Sequence, residues 1–457
     1  MSFERERWRQ RLEQLRREHG VPAASLAVLV DDEVHTLADG LLNVETGVAA
    51  TADARFQIGS TTKVYTATAI MRLVEAGRLD LDAPLIEALP ELRVADREVT
   101  ARVTARHLLT HTSGIAGDVF TDTGRGDDAV ARYVEACATL GQDVPFEATF
   151  SYCNTGFVIL GRVVERLAGA PFEAALEASV LGPLGLRETV ARPEEVLRGR
   201  WACGHLPGPD GPTPAPIALL PRSSAPAGGA VWASARDVVA FARLFLDAGR
   251  ARDGSAVLAP ETVAEMLRPQ VPVAERWSSG DFRGLGWQLD DRGGRRVFQH
   301  GGATIGQRAF LEVVPDRRVA VALLTNGGGA RALAAALHGE LLADLCQLEA
   351  PAVPAPDPAA QAAPDDPVVG VYERYGSRTE IAWRDGALAG TDRLVEPLAS
   401  QLPGVGPVAF ELRRSDAGGA TYVARDEGEQ EWRPLVLFEA GGERYLHTGG
   451  RAQRKLA

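Results

Sequence analysis

A serine three residues ahead of a lysine is the first place in this sequence where chemistry could start. Gly59-Ser60-Thr61-Thr62-Lys63 follows a strand-like run at 55–58 and opens a helical run. There Val64, Ala67, Ile70, Met71 and Val74 recur at helical spacing up to Gly77. The spacing predicts that Ser60 begins a helix and that Lys63 lies one turn on, on the same face. In that position an amine can take the hydroxyl proton, and the N-terminal end of a helix favours the alkoxide that forms. Composition adds weight. Of the 49 basic residues only Lys63 and Lys455 are lysines. Arginine keeps its proton, whereas a buried lysine can give it up. A lysine where the chain otherwise writes arginine points to a titratable amine.

Two weaker pieces follow. Tyr152-Cys153-Asn154 precedes a helical run carrying Phe157, Leu160, Val163, Val164 and Leu167, so both polar side chains leave one turn. A tyrosine among cations can serve as general base or acid, and asparagine can orient an amide. By itself a packed tyrosine at a helix start is the commoner meaning. His300-Gly301-Gly302-Ala303 ends a strand-like run and enters a glycine turn. The imidazole there can supply positive charge or relay a proton, and the glycines let a substrate lie close to the strand edge. A lone histidine at such a place is more often a surface turn residue.

The elements that must position these residues are legible. A helix is expected at 4–18, strands at 24–30, 34–41 and 55–58, and helices near 129–140, 155–168, 172–180 and 236–248. Strands return at 284–289, 296–299, 308–314 and 319–325, the last two joined through Pro315-Asp316-Arg317-Arg318, and a helix follows at 330–346. Strands and a helix at each end bracket a helical middle. The expected fold is α+β, an α/β/α sandwich in which helices cover one antiparallel sheet, spanning 1–349 with a helical insert at about 78–270. Residues 350–367 hold six prolines and read as a semi-rigid linker. Short strand patterns from 368 to 457 predict a small all-β domain.

Whole-chain properties exclude several classes. With a net charge of -12 and no basic cluster, nucleic acid is not an expected partner. Cys137, Cys153, Cys203 and Cys346 are scattered, so free thiols are expected, and neither a metal nor a cofactor is called for. The charged first residues lack the apolar core of a signal peptide, and no run approaches the ~20 apolar residues of a membrane span. The expected location is the cytoplasm, away from membranes.

Taken together, in this order, Ser-x-x-Lys, Tyr-x-Asn and His-x-Gly resemble the motif set of the serine β-lactamase and penicillin-binding-protein superfamily. The stretches at 79–82 and 107–114, Gly228-Gly229 and the run at 232–237 extend the resemblance over residues 5 to about 346. It implies a β-lactamase/transpeptidase-like fold, and the tail resembles a lipocalin-like barrel. His300 stands where true β-lactamases have lysine, a pattern of esterases and D-amino-acid peptidases. Length, tail and the stretch at 117–128 look most like penicillin-binding-protein-type thioesterases, which are cyclases of nonribosomal peptides. What the resemblance implies is a peptidyl thioester on a carrier protein, or a small peptide substrate, transferred to Ser60 and released as a macrolactam by its own amine. Lys63 and Tyr152 would share the proton transfer, and the Ser60 and Ala303 N–H groups would form an oxyanion hole. Asn154 would hold the acyl chain's amide, and His300 would assist the relay or polarise Tyr152. Gly301 and Gly302 would line the substrate, with Arg444 reaching in from the tail. The alternatives are a cytoplasmic esterase, D-amino-acid peptidase or β-lactamase-like hydrolase and, at a distance, a peptide-binding sensor without catalysis.

Overall fold

The computed structural model describes residues 3–401, 405–416, 419–429 and 431–456. Its centre is an antiparallel sheet of nine strands. Their spatial order is Val48–Ala49, Glu33–Asn43, Ala23–Val30, Val319–Thr325, Gln307–Val314, Arg295–Thr304, Gln288–Arg292, Phe282–Arg283 and Val271–Pro272. Ala23–Val30 and Val319–Thr325 are buried along their whole length and pair with each other, Ala27 opposite Ala322. Strands apolar on both sides need a helix layer on each face. On one face Trp8, Leu12 and Leu15 of the helix Arg5–Glu18 pack with Leu333, Leu337 and Leu341 of the helix Ala330–Cys346. The other face packs on the nucleophile helix Thr62–Glu75 and on Ala235–Leu246.

Three strands differ from expectation. The one expected at 55–58 is Phe56–Gln57, which pairs with Trp232–Ala233 apart from the central sheet. The one expected at 284–289 lies at Gln288–Arg292, because the Gly284–Gly286 backbone turns towards Met266, whose carbonyl takes the Leu285 N–H at 2.9 Å. The one expected at 296–299 runs from Arg295 to Thr304. His300, Gly301, Gly302 and Ala303 therefore lie within a strand rather than in a turn, His300 opposite Leu311 and Ala303 opposite Arg308. Ladder pairing along the full length of Gln307–Val314 outweighs the low strand preference of the two glycines.

Beyond the proline-rich stretch the chain forms a closed barrel of eight strands. Tyr372, Ile381, Phe410, Tyr422, Leu435 and Leu446 fill it. The linker ends anchored: buried Asp366 accepts from Tyr422 Oη at 2.7 Å and from Arg414 Nε at 2.8 Å. The eighth strand, Arg451–Lys455, carries no aromatic or β-branched residue and gives no strand signal in the sequence. It forms because it closes the barrel between Glu443–Thr448 and Gly370–Arg374.

Candidate active site

Ser60 sits in a short 3-10 turn, Gly59–Thr61, that runs directly into the helix Thr62–Glu75. Lys63 is fully buried one turn on. Its Nζ lies 3.2 Å from Ser60 Oγ, 2.7 Å from Asn154 Oδ1 and 2.5 Å from the Ala227 carbonyl. Burial pulls the Lys63 pKa below its ordinary value; nearby Tyr152 opposes this and the Arg451 charge adds to it. An amine biased towards neutrality beside a serine hydroxyl is the base that the Ser-x-x-Lys spacing promised.

The strand Arg295–Thr304 lies edge-on to this turn. A Cβ on Gly302 would stand 1.8 Å from the Ile58 carbonyl, so that glycine is required by the approach of the nucleophile's own loop. One on Gly59 would stand 2.5 Å from Ala303 N, which brings the Ser60 and Ala303 backbones side by side. Gly301 and Ala303 are exposed, on open backbone where an acyl chain can lie.

Of the two roles open to His300, positive charge or proton relay, burial disfavours the first. Burial lowers its pKa to about 3, with Arg283 and Lys63 acting in the same direction, so the ring is neutral at physiological pH. Its Nδ1–H donates to the Gly301 carbonyl at 2.7 Å, leaving buried Nε2 as a free acceptor.

Tyr152 is ringed by cations. Lys63 Nζ is 4.9 Å from the ring centroid, and the guanidinium carbons of Arg451 and Arg283 are 4.8 and 5.7 Å from it. His111 stacks on the ring at 4.4 Å, and its Nδ1 accepts the Cys153 N–H at 3.0 Å. Asn154, first residue of the helix Asn154–Ala168, has both ends of its amide engaged. Oδ1 takes Lys63 Nζ, and Nδ2 donates to Asp118 Oδ1 at 2.9 Å. In this arrangement it orients Lys63.

Asp118 is the residue on which these contacts converge. It is buried and receives two bonds of 3.0 Å from the Arg451 guanidinium and one ion pair of 2.9 Å from Arg374, both arginines being in the barrel. Burial alone would raise its carboxyl pKa; the two arginines and the Asn154 amide overcome that and hold it well below the usual range. The barrel touches the site again where the Gly450 carbonyl takes the Tyr152 N–H at 2.9 Å and Ala452 N donates to Ser151 Oγ at 3.2 Å.

The barrel arginine is therefore not the expected one. Arg444 lies exposed on the barrel's outer surface, paired with Glu439 at 3.0 Å. Arg451 reaches the site instead, because Gly449-Gly450 makes a two-residue turn, both with positive φ (56° and 81°), whose tip enters beside Tyr152. That Gly-Gly pair was the one sequence signal that could have shown it. Arg283, also missed, is buried against the Phe150 ring at 4.5 Å with Nε and Nη1 lacking partners, and nothing in its sequence context marks it. Among the described residues no group of three or more His, Cys, Asp or Glu is placed to hold a metal ion.

With this geometry in place, similarity to known proteins is informative. The Beta-lactamase family model matches residues 8–344. Penicillin-binding protein 4 of Amycolatopsis lactamdurans is 48% identical over 382 residues, covering 82% of this chain and 99% of its own length. Esterase EstB of Burkholderia gladioli is 32% identical over 328 residues, 63% of this chain and 80% of its own. The crystal structure of SurE, also solved with D-Leu, superposes with a TM-score of 0.77 at 28% identity over 99% of both chains. A serine that opens a helix, a buried lysine 3.2 Å from it and a tyrosine beside that lysine are the machinery of a serine acyl-enzyme, and this chain belongs to the Beta-lactamase family.

Proposed function

We propose that this protein takes a peptidyl thioester from a carrier protein onto Ser60 and releases it by head-to-tail macrolactamisation. In the reaction Lys63 accepts the Ser60 proton as Oγ attacks the thioester carbonyl. The Ser60 and Ala303 N–H groups hold the oxyanion, and the thiolate leaves with the proton returned through Lys63 or Tyr152. The peptide's own amine then attacks the ester, gives its proton to the same groups and restores Ser60. The observation that carries this reading is the barrel turn Gly449-Gly450-Arg451 seated against Tyr152 and Asp118. A second domain walling the nucleophile favours an amine held in place over bulk water. SurE, similar over both domains, has been crystallised with D-Leu, which supports a D-configured residue at the acyl terminus. The reading places the protein in the cytoplasm, where carrier-bound peptides are assembled. Among the described residues no helix is long and apolar enough to cross a membrane.

The similarity to an esterase favours a second outcome, hydrolysis of the same acyl-enzyme. One experiment separates them. A linear peptide thioester ending in a D-residue is incubated with the protein, and ring and linear acid are quantified by mass spectrometry. Ring as the main product supports the proposal; acid alone refutes cyclisation. The Ser60→Ala protein should give neither product and no acyl adduct.

A further inference from the structure

Exposed apolar residues are unevenly spread over this molecule. Leu197, 72% exposed, with Trp201, Leu206 and Ile217, lies within one stretch of the chain at 197–217. That stretch is not slack. Arg55 N donates to the Arg200 carbonyl at 2.9 Å, and Ala202 N donates to the Arg55 carbonyl at 2.9 Å. The stretch thus pairs with the segment that reaches Ser60 five residues later. The buried Arg55 guanidinium fastens it further, donating to the Glu195 carbonyl at 2.9 Å and pairing with Glu188 at 2.9 Å. Ile217 adjoins Ala218, whose carbonyl takes Gln57 Nε2 at 2.6 Å. Arg198 and Arg200 stand exposed beside Leu197. Among the described residues neither makes an ion pair, although Asp53 lies near enough to Arg200 to feel its charge. A hydrogen-bonded turn that presents a leucine, part of a tryptophan and two exposed arginines to water, in a chain of net charge -12, is the composition of an interface for an acidic partner.

We propose that residues 197–217 form the docking face for the carrier protein that delivers the acyl group, an inference that rests on the function proposed above. A carrier's thioester tether begins at a phosphodiester, so negative charge arrives at its base. Arg198 and Arg200 meet that charge, and Leu197 and Trp201 supply the apolar anchor. Arg200 is bonded to Arg55, and the five residues from Arg55 to Ser60 span at most about 17 Å.

The test compares two substrates on the full-length protein. One is a peptide as its N-acetylcysteamine thioester; the other is the same peptide loaded on a purified peptidyl carrier domain. Arg198→Glu/Arg200→Glu and, separately, Leu197→Asp should lower kcat/KM for the carrier-bound peptide by about 10-fold or more, with the small thioester within about 2-fold of wild type. Equal effects on both substrates, or none on either, overturn the docking face. Should neither thioester acylate Ser60, the function reading fails by itself. Calorimetric titration of the loaded carrier domain then decides the surface: saturable binding lost in the charge-reversed variant upholds it, and no binding overturns it.

Discussion

Removal of the Arg451 guanidinium is the perturbation that most directly tests how the barrel serves the nucleophile. Arg451 holds Asp118 by two bonds of 3.0 Å, Asp118 holds Asn154 at 2.9 Å, and Asn154 holds Lys63 at 2.7 Å. Breaking one partner of a buried pair typically costs about 3–5 kcal/mol. Arg374 remains on Asp118 at 2.9 Å, so the lower part of that range applies to Arg451→Met. If about 2 kcal/mol of it appears as misplacement of Lys63, acylation slows about 30-fold. The assay is the burst of thiol released from a small thioester, with urea unfolding of the same proteins giving the stability change. Asp118→Asn is the second arm. Because the two side chains form one unit, Arg451→Met/Asp118→Asn should cost less than the sum of the single changes, with a coupling of about 2 kcal/mol in both readouts. Additivity within about 0.5 kcal/mol, or an unchanged burst in Arg451→Met, would refute the relay.

Three further outcomes are expected. Lys63→Arg retains charge but not a proton that can leave, so its acylation rate should fall about as far as that of Lys63→Ala, by about 10²–10⁴, and rescue by arginine would show that charge alone was needed. Glu275 is buried, which raises its pKa to about 7 against the hydrogen bonds it accepts from Ser278. Folded protein therefore holds a proton that unfolded chain has lost between about pH 4.5 and 7, and stability falls as pH rises through that window, by up to about 3 kcal/mol. Glu275→Gln should abolish that fall in urea unfolding at pH 5 and 8, and an unchanged difference between the two would count against it. Arg444→Ala, at an exposed surface pair, should leave acylation and stability within about 0.5 kcal/mol of wild type, and a larger loss would return Arg444 to the site.

The sequence by itself determined the nucleophile and its base. Ser60 and Lys63 are three residues apart on one helix, and helix geometry is local, so their contact at 3.2 Å needed no tertiary knowledge. The buried runs Ala23–Val30 and Val319–Thr325 likewise fixed a sheet with helices on both faces. Resemblance, rather than periodicity, aligned Tyr152, Asn154 and His300 with that pair. Their chemistry was decided by burial. His300 is neutral because the fold takes it out of water, and Asn154 turns towards Lys63 because Asp118 holds its other end. The least legible part was the barrel's contribution. Arg451 and Arg444 look alike along the chain, and both stand in polar stretches of a small β domain. Only closure by Arg451–Lys455, a strand with no strand-forming residues, aims the Gly449-Gly450 turn at Tyr152 and leaves Arg444 facing solvent. Closure of a barrel depends on pairing between residues some eighty positions apart, and no local pattern encodes it.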